Sequence, residues 1–530
     1  MSAGEDWSRA GWRAHLPGTD DVPAWAGRLG ETTIPELAAA SAGRVPGRVA
    51  ITVDGEPVTH GELDTGAAQV AGWLARRIQP GDRVLLAAGP GPGFLRCYLG
   101  SLRAGAVVVL ANPGYTAPEL AHLVSDSGAA VAFAGPGPAR LLAALPAPPL
   151  TVDASWLPPG PPGRAGQQVR AAPDDTALLA YTSGTTGRPK GVPLTHRQLL
   201  TSIRTAMAAW RWSADDVVVH ALPLYHQHGL GGVHATLIAG ATGHVRSRFS
   251  PADLIETVRA ARASVLLGVP TMYQALLAAA GVPSAGGVPP SRASAPAGGP
   301  VLAGLRLAVC GSAPLNPALA QRLPAVLGGL PLVRYGTTET GLNVSNTCGA
   351  PRGDSVGVPL PGVLARIWSD GAERPAGQEG EIQLRGPQVF GGYWHDPAAS
   401  VAAFTGDGWF RTGDIGRVDP RDGQLAILGR SKEMIITGGL NVYPREVELV
   451  LESHPSVAEA AVAGVPHEHW GEQVTAWVVT RPGREFDERA LIAHARTALA
   501  PYKCPKQVFE AGALPRNHVG KIIRSALTPP

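Results

Sequence analysis

The chain has 530 residues, 45% of them hydrophobic, and 45 Lys and Arg stand against 42 Asp and Glu for a formal net charge of +3. That length exceeds what one hydrophobic core organises, so at least two domains are expected, and the near-neutral balance without a dense basic block argues against nucleic acid or an anionic membrane as partner. No apolar run approaches the roughly 18 residues that span a bilayer, and the start of the chain, with Glu5, Asp6 and three Trp by position 25, lacks the basic-then-apolar layout of an export signal. A cytoplasmic protein acting on a small molecule is the expectation, as monomer or dimer. The cysteines Cys97, Cys310, Cys348 and Cys504 lie far apart without C-x-x-C spacing, the pattern of reduced thiols rather than a zinc site or disulfide framework.

Along the chain, residues 34–42 read as a helix, and 50–53 with 58–60 bracket Asp54-Gly55 as a hairpin. Thr59 with Glu62 three residues on has the form of a capping box. Leu63, Val70 and Leu74 then mark an amphipathic helix ending near Pro80-Gly81. Strand and helix signals alternate from 83–87 through 94–102, 107–110, 117–125 and 130–133, which predicts an α/β architecture with largely parallel sheets layered with helices. Residues 146–172, dense in Pro and Gly, are expected to loop over the surface. A second low-complexity stretch, 282–300, has little to bury and is expected to be mobile and outside the chemistry.

The informative run is Tyr181-Thr182-Ser183-Gly184-Thr185-Thr186-Gly187-Arg188-Pro189-Lys190-Gly191, preceded by the short apolar strand 176–181. Its glycines let backbone approach an anion closely, its hydroxyls donate, and Lys190 adds a point charge, so it reads as a polyphosphate cradle. It is not a Walker A loop. Pro189 stands five places after Gly184, and Gly191 follows Lys190 where that loop needs a metal-binding Ser or Thr. After the cradle, 196–210 reads as a helix and 217–221 as a strand. Four later clusters are placed at loops following strands, where open α/β sheets bind ligands: 222–229, 305–314, 334–340 and 409–414. Near residue 430 the pattern changes. A polar hinge at 429–432 is expected to divide an N-terminal domain, 1–429, from a small mobile α+β domain, 430–530.

The cradle followed by Leu194-Thr195-His196, together with those clusters across nearly the whole chain, resembles the adenylate-forming superfamily of acyl-CoA synthetases, peptide-synthetase adenylation domains and luciferases. The resemblance implies ATP, Mg²⁺ and coenzyme A as cofactors and a two-step reaction: a carboxylic acid becomes an acyl-AMP, and the acyl group then passes to CoA. It assigns Thr182, Ser183, Gly184, Thr185, Thr186, Gly187 and Lys190 to the β- and γ-phosphates. Thr338 goes to the α-phosphate, Glu339 with Thr182 to the metal, and Tyr335, Gly336 and Thr337 with Gly311, Ser312 and Ala313 to adenine. Asp414 is left to the ribose, and Arg430 to the same sugar or the phosphate. Lys521 becomes the catalytic lysine of adenylation, Lys432 the hinge, and Gly438 and Gly439 the lining of a pantetheine tunnel. Each role suits its residue: Mg²⁺ needs only one or two protein carboxylates beside phosphates, and an ammonium offsets charge developing between carboxylate and α-phosphate.

Within the superfamily the clusters look most like malonyl-CoA synthetases. A dicarboxylate's distal charge needs a buried cation, for which Arg306 and then Arg248 are the expected groups. His226 is expected to gate the acyl pocket, with His228 beside it. Gly341 and Leu342 leave room for a larger acid, so a bulkier fatty, aryl or natural-product acid stays open as substrate. A separate carrier protein in place of CoA is an alternative acceptor, since an adenylation enzyme that loads one would share every motif.

Overall fold

The computed structural model describes residues 2–158, 171–182, 189–282, 300–437, 440–468, 470–517 and 521–530. Among these, six strands form one sheet in the order Leu150–Asp153, Val131–Ala134, Arg83–Ala87, Val107–Leu110, Thr176–Thr182 and Lys190–Thr195. All its pairings are parallel except the last, in which Lys190–Thr195 pairs antiparallel with Thr176–Thr182. Apart from Arg83 at its entry, the central strands are buried along their length, as strands covered by helices on both faces must be.

A second sheet of nine described strands runs Val358–Pro359, Gly341–Ser345, Leu332–Thr337, Leu307–Cys310, Val265–Gly268, Val217–His220, Thr242–Val245, Val49–Val53 and Glu56–Thr59. Its middle is parallel and both ends are antiparallel. A third, wholly antiparallel sheet carries Phe410–Val418 beside Leu425–Arg430. The last sheet is built from Ile435–Thr437, Leu440–Val442, Val457–His467, Gly471–Thr480 and Gln507–Glu510, and closes over its own apolar core of Val442, Val447, Leu451, Val462, Val474 and Leu491. The architecture is thus a large α/β part with mostly parallel sheets followed by a small α+β part.

The capping boxes form where the side chains predict them. Thr59 Oγ1 accepts from Glu62 N–H at 3.2 Å while the Glu62 carboxylate accepts from Thr59 N–H at 2.9 Å, and Thr195 with Gln198 repeats the arrangement at the start of His196–Ala209. Three local expectations are corrected. The helix begun at His60 stops at Leu74, whose carbonyl accepts from Arg77 and Ile78 N–H, so the chain turns before it reaches Pro80. The stretch 146–172 holds an edge strand, Leu150–Asp153, because Leu150, Thr151 and Val152 extend the parallel ladder from Val131–Ala134. The cluster 409–414 lies largely within a strand, not a loop, and Asp414 sits directly across the ladder from Arg430. Of the stretch 282–300, residues 283–299 lie outside those described.

Candidate active site

Both large sheets deliver the carboxyl ends of their strands to one cleft of about 2080 Å³, whose wall is shared by the small C-terminal part. The strand Thr176–Thr182 brings Tyr181 and Thr182 to it and Lys190 opens the return strand, so Thr182 and Lys190 face each other as a ladder pair at the mouth of the cradle. Ser183, Gly184, Thr185, Thr186 and Gly187 lie outside the described residues, as do Gly438 and Gly439. Lys190 is already engaged: its ammonium lies 3.3 Å from the Asp396 carboxylate and 5.1 Å from the centre of the Tyr393 ring.

Opposite the cradle, the strand Leu332–Thr337 ends in the turn that carries Thr338 and Glu339. This turn is fixed from three sides. The Gln227 amide donates to Thr338 C=O at 2.8 Å, Phe390 N–H donates to Glu339 C=O at 2.8 Å, and the Thr337 and Thr340 hydroxyls meet at 2.9 Å. A side chain at Gly336 would bring its Cβ to 2.1 Å from Gly341 C=O, so only glycine lets the two strands cross here. Glu339 faces the cleft and accepts from the Tyr393 hydroxyl at 3.1 Å. The donor set fits Mg²⁺, which takes one protein carboxylate together with phosphate oxygens and water.

Tyr335 lies in the same strand, and its hydroxyl donates to Asp414 Oδ2 at 2.6 Å, while Arg430 Nε stands 3.0 Å from Asp414 Oδ1. Burial, and then the Asp414 charge, push the Tyr335 phenol well above its usual range, so it stays a donor. Asp414 in turn raises Arg430. Each Asp414 oxygen keeps a lone pair beyond these bonds, enough to accept from a diol. Gly311, Ser312 and Ala313 follow the strand Leu307–Cys310. Ser312 holds a left-handed φ of 70° and its Oγ meets His228 Nδ1 at 3.2 Å. Lys521 and Lys432 both line the cleft from the C-terminal part. Enclosure within the cleft, and next the Arg430 charge, pull the Lys521 ammonium below the ordinary lysine range, with Asp414, Glu433 and Arg334 also close enough to act on it.

The acyl end requires corrections. Arg306 does not reach the cleft. It sits just before the strand Leu307–Cys310, at the end opposite the ligand loops, with Nε 2.7 Å from Asp216 Oδ1 and a further bond to Trp210 C=O at 3.0 Å. Burial alone would raise Asp216, but the Arg306 bond, then Ser264, hold it below the usual carboxylate range, so this arginine's charge is spent on a structural pair. Arg248 is exposed and off the cleft wall, although its neighbours Ser247 and Phe249 line it. Leu342 and Gly341 both line the cleft, but the position a side chain would take on the glycine is occupied. Its φ is 60°, and a Cβ there would lie 2.3 Å from Ser202 Oγ, which fills the space and bonds Leu342 N–H at 2.8 Å.

The buried cation at this end is Arg334, overlooked as such in the sequence because it stands next to the Tyr335 motif. It is 9% exposed, and its Nε has no hydrogen-bond partner among the described residues. Burial pushes it down to about 10. Its guanidinium packs on Gly311, where a Cβ would come within 2.4 Å of Nε. His228 is beside it: burial, then the Arg334 charge, hold this imidazole neutral, and its Nε2 is also without a partner among the described residues. His226 lines the cleft next to Tyr225, with ring centroids 4.7 Å apart. Tyr393 and Asp396 were missed as well, and the one local signal was Asp396-Pro397, a helix start.

Lys190, Glu339, Asp414, Arg430 and the buried Arg334 thus line one cleft, together with apolar side chains such as Leu222, Met272 and Leu315. The model of the AMP-binding enzyme family matches residues 38–394, and that of the AMP-binding enzyme C-terminal domain matches 446–521. Feruloyl-CoA synthase of Amycolatopsis sp is 37% identical over 489 residues, covering 90% of this chain and 95% of that protein. The malonate–CoA ligase ACSF3 of Homo sapiens is 35% identical over 466 residues, covering 81% and 79%. The crystal structure of ATP-bound MatB from Rhodopseudomonas palustris superposes with a TM-score of 0.82 at 36% identity, covering 93% of this chain and 97% of that one. The chain belongs to the AMP-binding enzyme family of adenylate-forming acyl-CoA synthetases. It is an acid–thiol ligase that uses ATP, Mg²⁺ and CoA. Among the described residues, no helix is long and apolar enough to cross a membrane.

Proposed function

We propose that the acid is a short dicarboxylate of the malonate or methylmalonate class. The observation that carries this reading is Arg334: a guanidinium buried at the cleft wall without a carboxylate partner among the described residues, next to the unpartnered Nε2 of a neutral His228. A buried charge of this kind is costly unless an anion joins it, and the distal carboxylate of a small diacid supplies one. Arg334 and Lys521 line the same cleft. A diacid can therefore be held at its far end by Arg334 while its reacting carboxylate stands by Lys521.

In the first step one oxygen of that carboxylate attacks the α-phosphorus, the bond to the bridging oxygen of pyrophosphate breaks, and pyrophosphate leaves with that electron pair. Mg²⁺, when bound, neutralises the leaving phosphates. Glu339 would hold it, Lys190 and the cradle hydroxyls would hold the β- and γ-phosphates, and Thr338 the α-phosphate. Tyr335 stacks on adenine, Asp414 with Arg430 fixes the ribose, and Lys521 stabilises the charge shared between the reacting oxygens. For the second step we take residues 430–530 as a unit that turns at Lys432, withdraws Lys521 and brings Gly438 and Gly439 to the thiol path.

A pyrophosphate-release screen over malonate, methylmalonate, succinate, acetate, ferulate and octanoate, with and without CoA, tests the substrate. Malonate or methylmalonate should give the highest kcat/KM, and Arg334→Gln should remove that preference. A wild-type enzyme that prefers ferulate or octanoate and is inert to malonate overturns the proposal.

A further inference from the structure

Residues 390–396 cross the cleft as a strap between the two large sheets. At one end Phe390 N–H donates to Glu339 C=O at 2.8 Å, on the turn that follows Leu332–Thr337. At the other, Trp394 N–H donates to Gly191 C=O at 2.9 Å, on the strand Lys190–Thr195 of the cradle. The fit is close, since a Cβ on Gly191 would lie 2.9 Å from the Trp394 Cβ. Between these anchors stands Tyr393. Its hydroxyl donates to Glu339 Oε1 at 3.1 Å, and its ring lies 5.1 Å from Lys190 Nζ. Asp396 ends the strap. It caps the helix Pro397–Ala402 through Ala399 N–H at 2.9 Å and holds Lys190 at 3.3 Å.

We propose that Tyr393 is a positioning residue for adenylation, joining the carboxylate that receives the metal to the lysine that receives the phosphates. One side chain touches both groups, and the backbone on either side of it is tied to the two sheets that carry them. The separation between Glu339 and Lys190 is therefore set by Tyr393 rather than by either sheet alone. The hydroxyl fixes which Glu339 oxygen is directed to the metal, and the ring keeps the Lys190 ammonium off solvent on one side. The inference rests on Glu339 and Lys190 having the roles proposed above.

The test is calorimetric titration of full-length protein with ATP in Mg²⁺ and in EDTA, which requires no turnover. Tyr393→Phe should weaken Mg²⁺·ATP about tenfold, the worth of a hydrogen bond to a charged group, and leave metal-free ATP as in wild type. Tyr393→Leu should in addition weaken metal-free ATP about threefold by removing the ring under Lys190. Glu339→Gln is measured alongside. If it leaves the Mg²⁺ dependence intact, the assignment of Glu339 fails and the inference goes with it. If Glu339→Gln weakens Mg²⁺·ATP but Tyr393→Phe changes neither constant, or weakens both equally, Tyr393 is packing and the proposal is overturned.

Discussion

At the nucleotide end of the cleft, Asp414 is bonded to Tyr335 and Arg430, Lys190 to Asp396, and Glu339 to Tyr393, whereas at the acyl end Arg334 has no anion among the described residues. The two ends therefore treat charge in opposite ways. A nucleotide-handling group held in a network of the protein's own is preorganised, so binding need not reorient it. A buried guanidinium without a partner has the reverse character: it costs stability in the free protein and rewards only a ligand that brings negative charge. On the proposed roles, cofactor binding is built into the fold, and acid selection is left to an electrostatic deficit.

The sharpest break between the ends is at Lys521, which lines the cleft from the small part and is the lysine proposed to act on the reacting centre. Lys521→Ala should cut acid-dependent pyrophosphate exchange by about a thousandfold, the scale on which a charge-stabilising donor acts, while thiolysis of a supplied acyl-adenylate stays within about twofold because that step does not use the ammonium. Equal loss in both half-reactions would remove the lysine from the first.

Next in size is Arg334. Replacing it with Met should lower kcat/KM for malonate about a hundredfold, near the cost of leaving a bound carboxylate uncompensated, and narrow the gap to acetate. The same substitution should stabilise the free protein by about 1 kcal/mol, since an apolar chain of similar length removes a buried charge. Asp414→Asn gives the contrast from the paired end: it leaves Arg430 without its carboxylate and should lower both stability and ATP affinity. A calorimetric scan with a substrate panel separates the two. If Arg334→Met lowers stability as Asp414→Asn does, the arginine has a structural role and the distinction between the ends collapses.

Smaller again is the pH dependence of adenylation. Lys521 is pulled below the usual lysine range by desolvation and Arg430, and in the proposed mechanism its protonated form is the one that acts. The rate of the first half-reaction should therefore fall as pH rises, with a midpoint below that of an exposed lysine. Lys521→Arg should slow the step but carry that alkaline limb out of reach, because guanidinium stays charged. An alkaline limb that persists in Lys521→Arg belongs to another group.

What could be read in advance follows the same division. The capping residues and the strand and helix patterns carry their meaning in local order, and so the alternating fold was legible from sequence, and Thr182, Lys190, Tyr335, Glu339, Asp414 and Arg430, nominated there, do line one cleft. Tyr393 and Asp396 were not, because their partners Glu339 and Lys190 lie far off along the chain and meet them only through the strap. Arg306 and Arg334 show the same failure in the other direction. Each is an arginine beside a ligand loop in sequence, but one precedes the strand Leu307–Cys310 and the other stands three residues before the end of Leu332–Thr337. Which end of a strand faces the cleft is decided by the crossovers, and no local pattern carries it.

The smallest expected effect on catalysis, and the one that sharpens the comparison most, comes from Arg306. Its partner Asp216 is 3% exposed and also accepts from Ser264 Oγ at 2.7 Å and Ser213 N–H at 2.8 Å. Arg306→Met should therefore destabilise the protein by about 2 kcal/mol, since it strands a buried carboxylate that keeps only neutral donors. It should leave the ratio of kcat/KM for malonate to that for acetate within about twofold, because a hydrogen-bonded ion pair at the far end of the strand has no path to the acid except through overall stability. The two arginines then form a matched pair: one whose loss changes selectivity and raises stability, one whose loss does the opposite. If Arg306→Met shifts the malonate-to-acetate ratio as far as Arg334→Met does, the charge felt by the acid is a property of the whole sheet, and the single guanidinium at the cleft wall is not what selects the substrate.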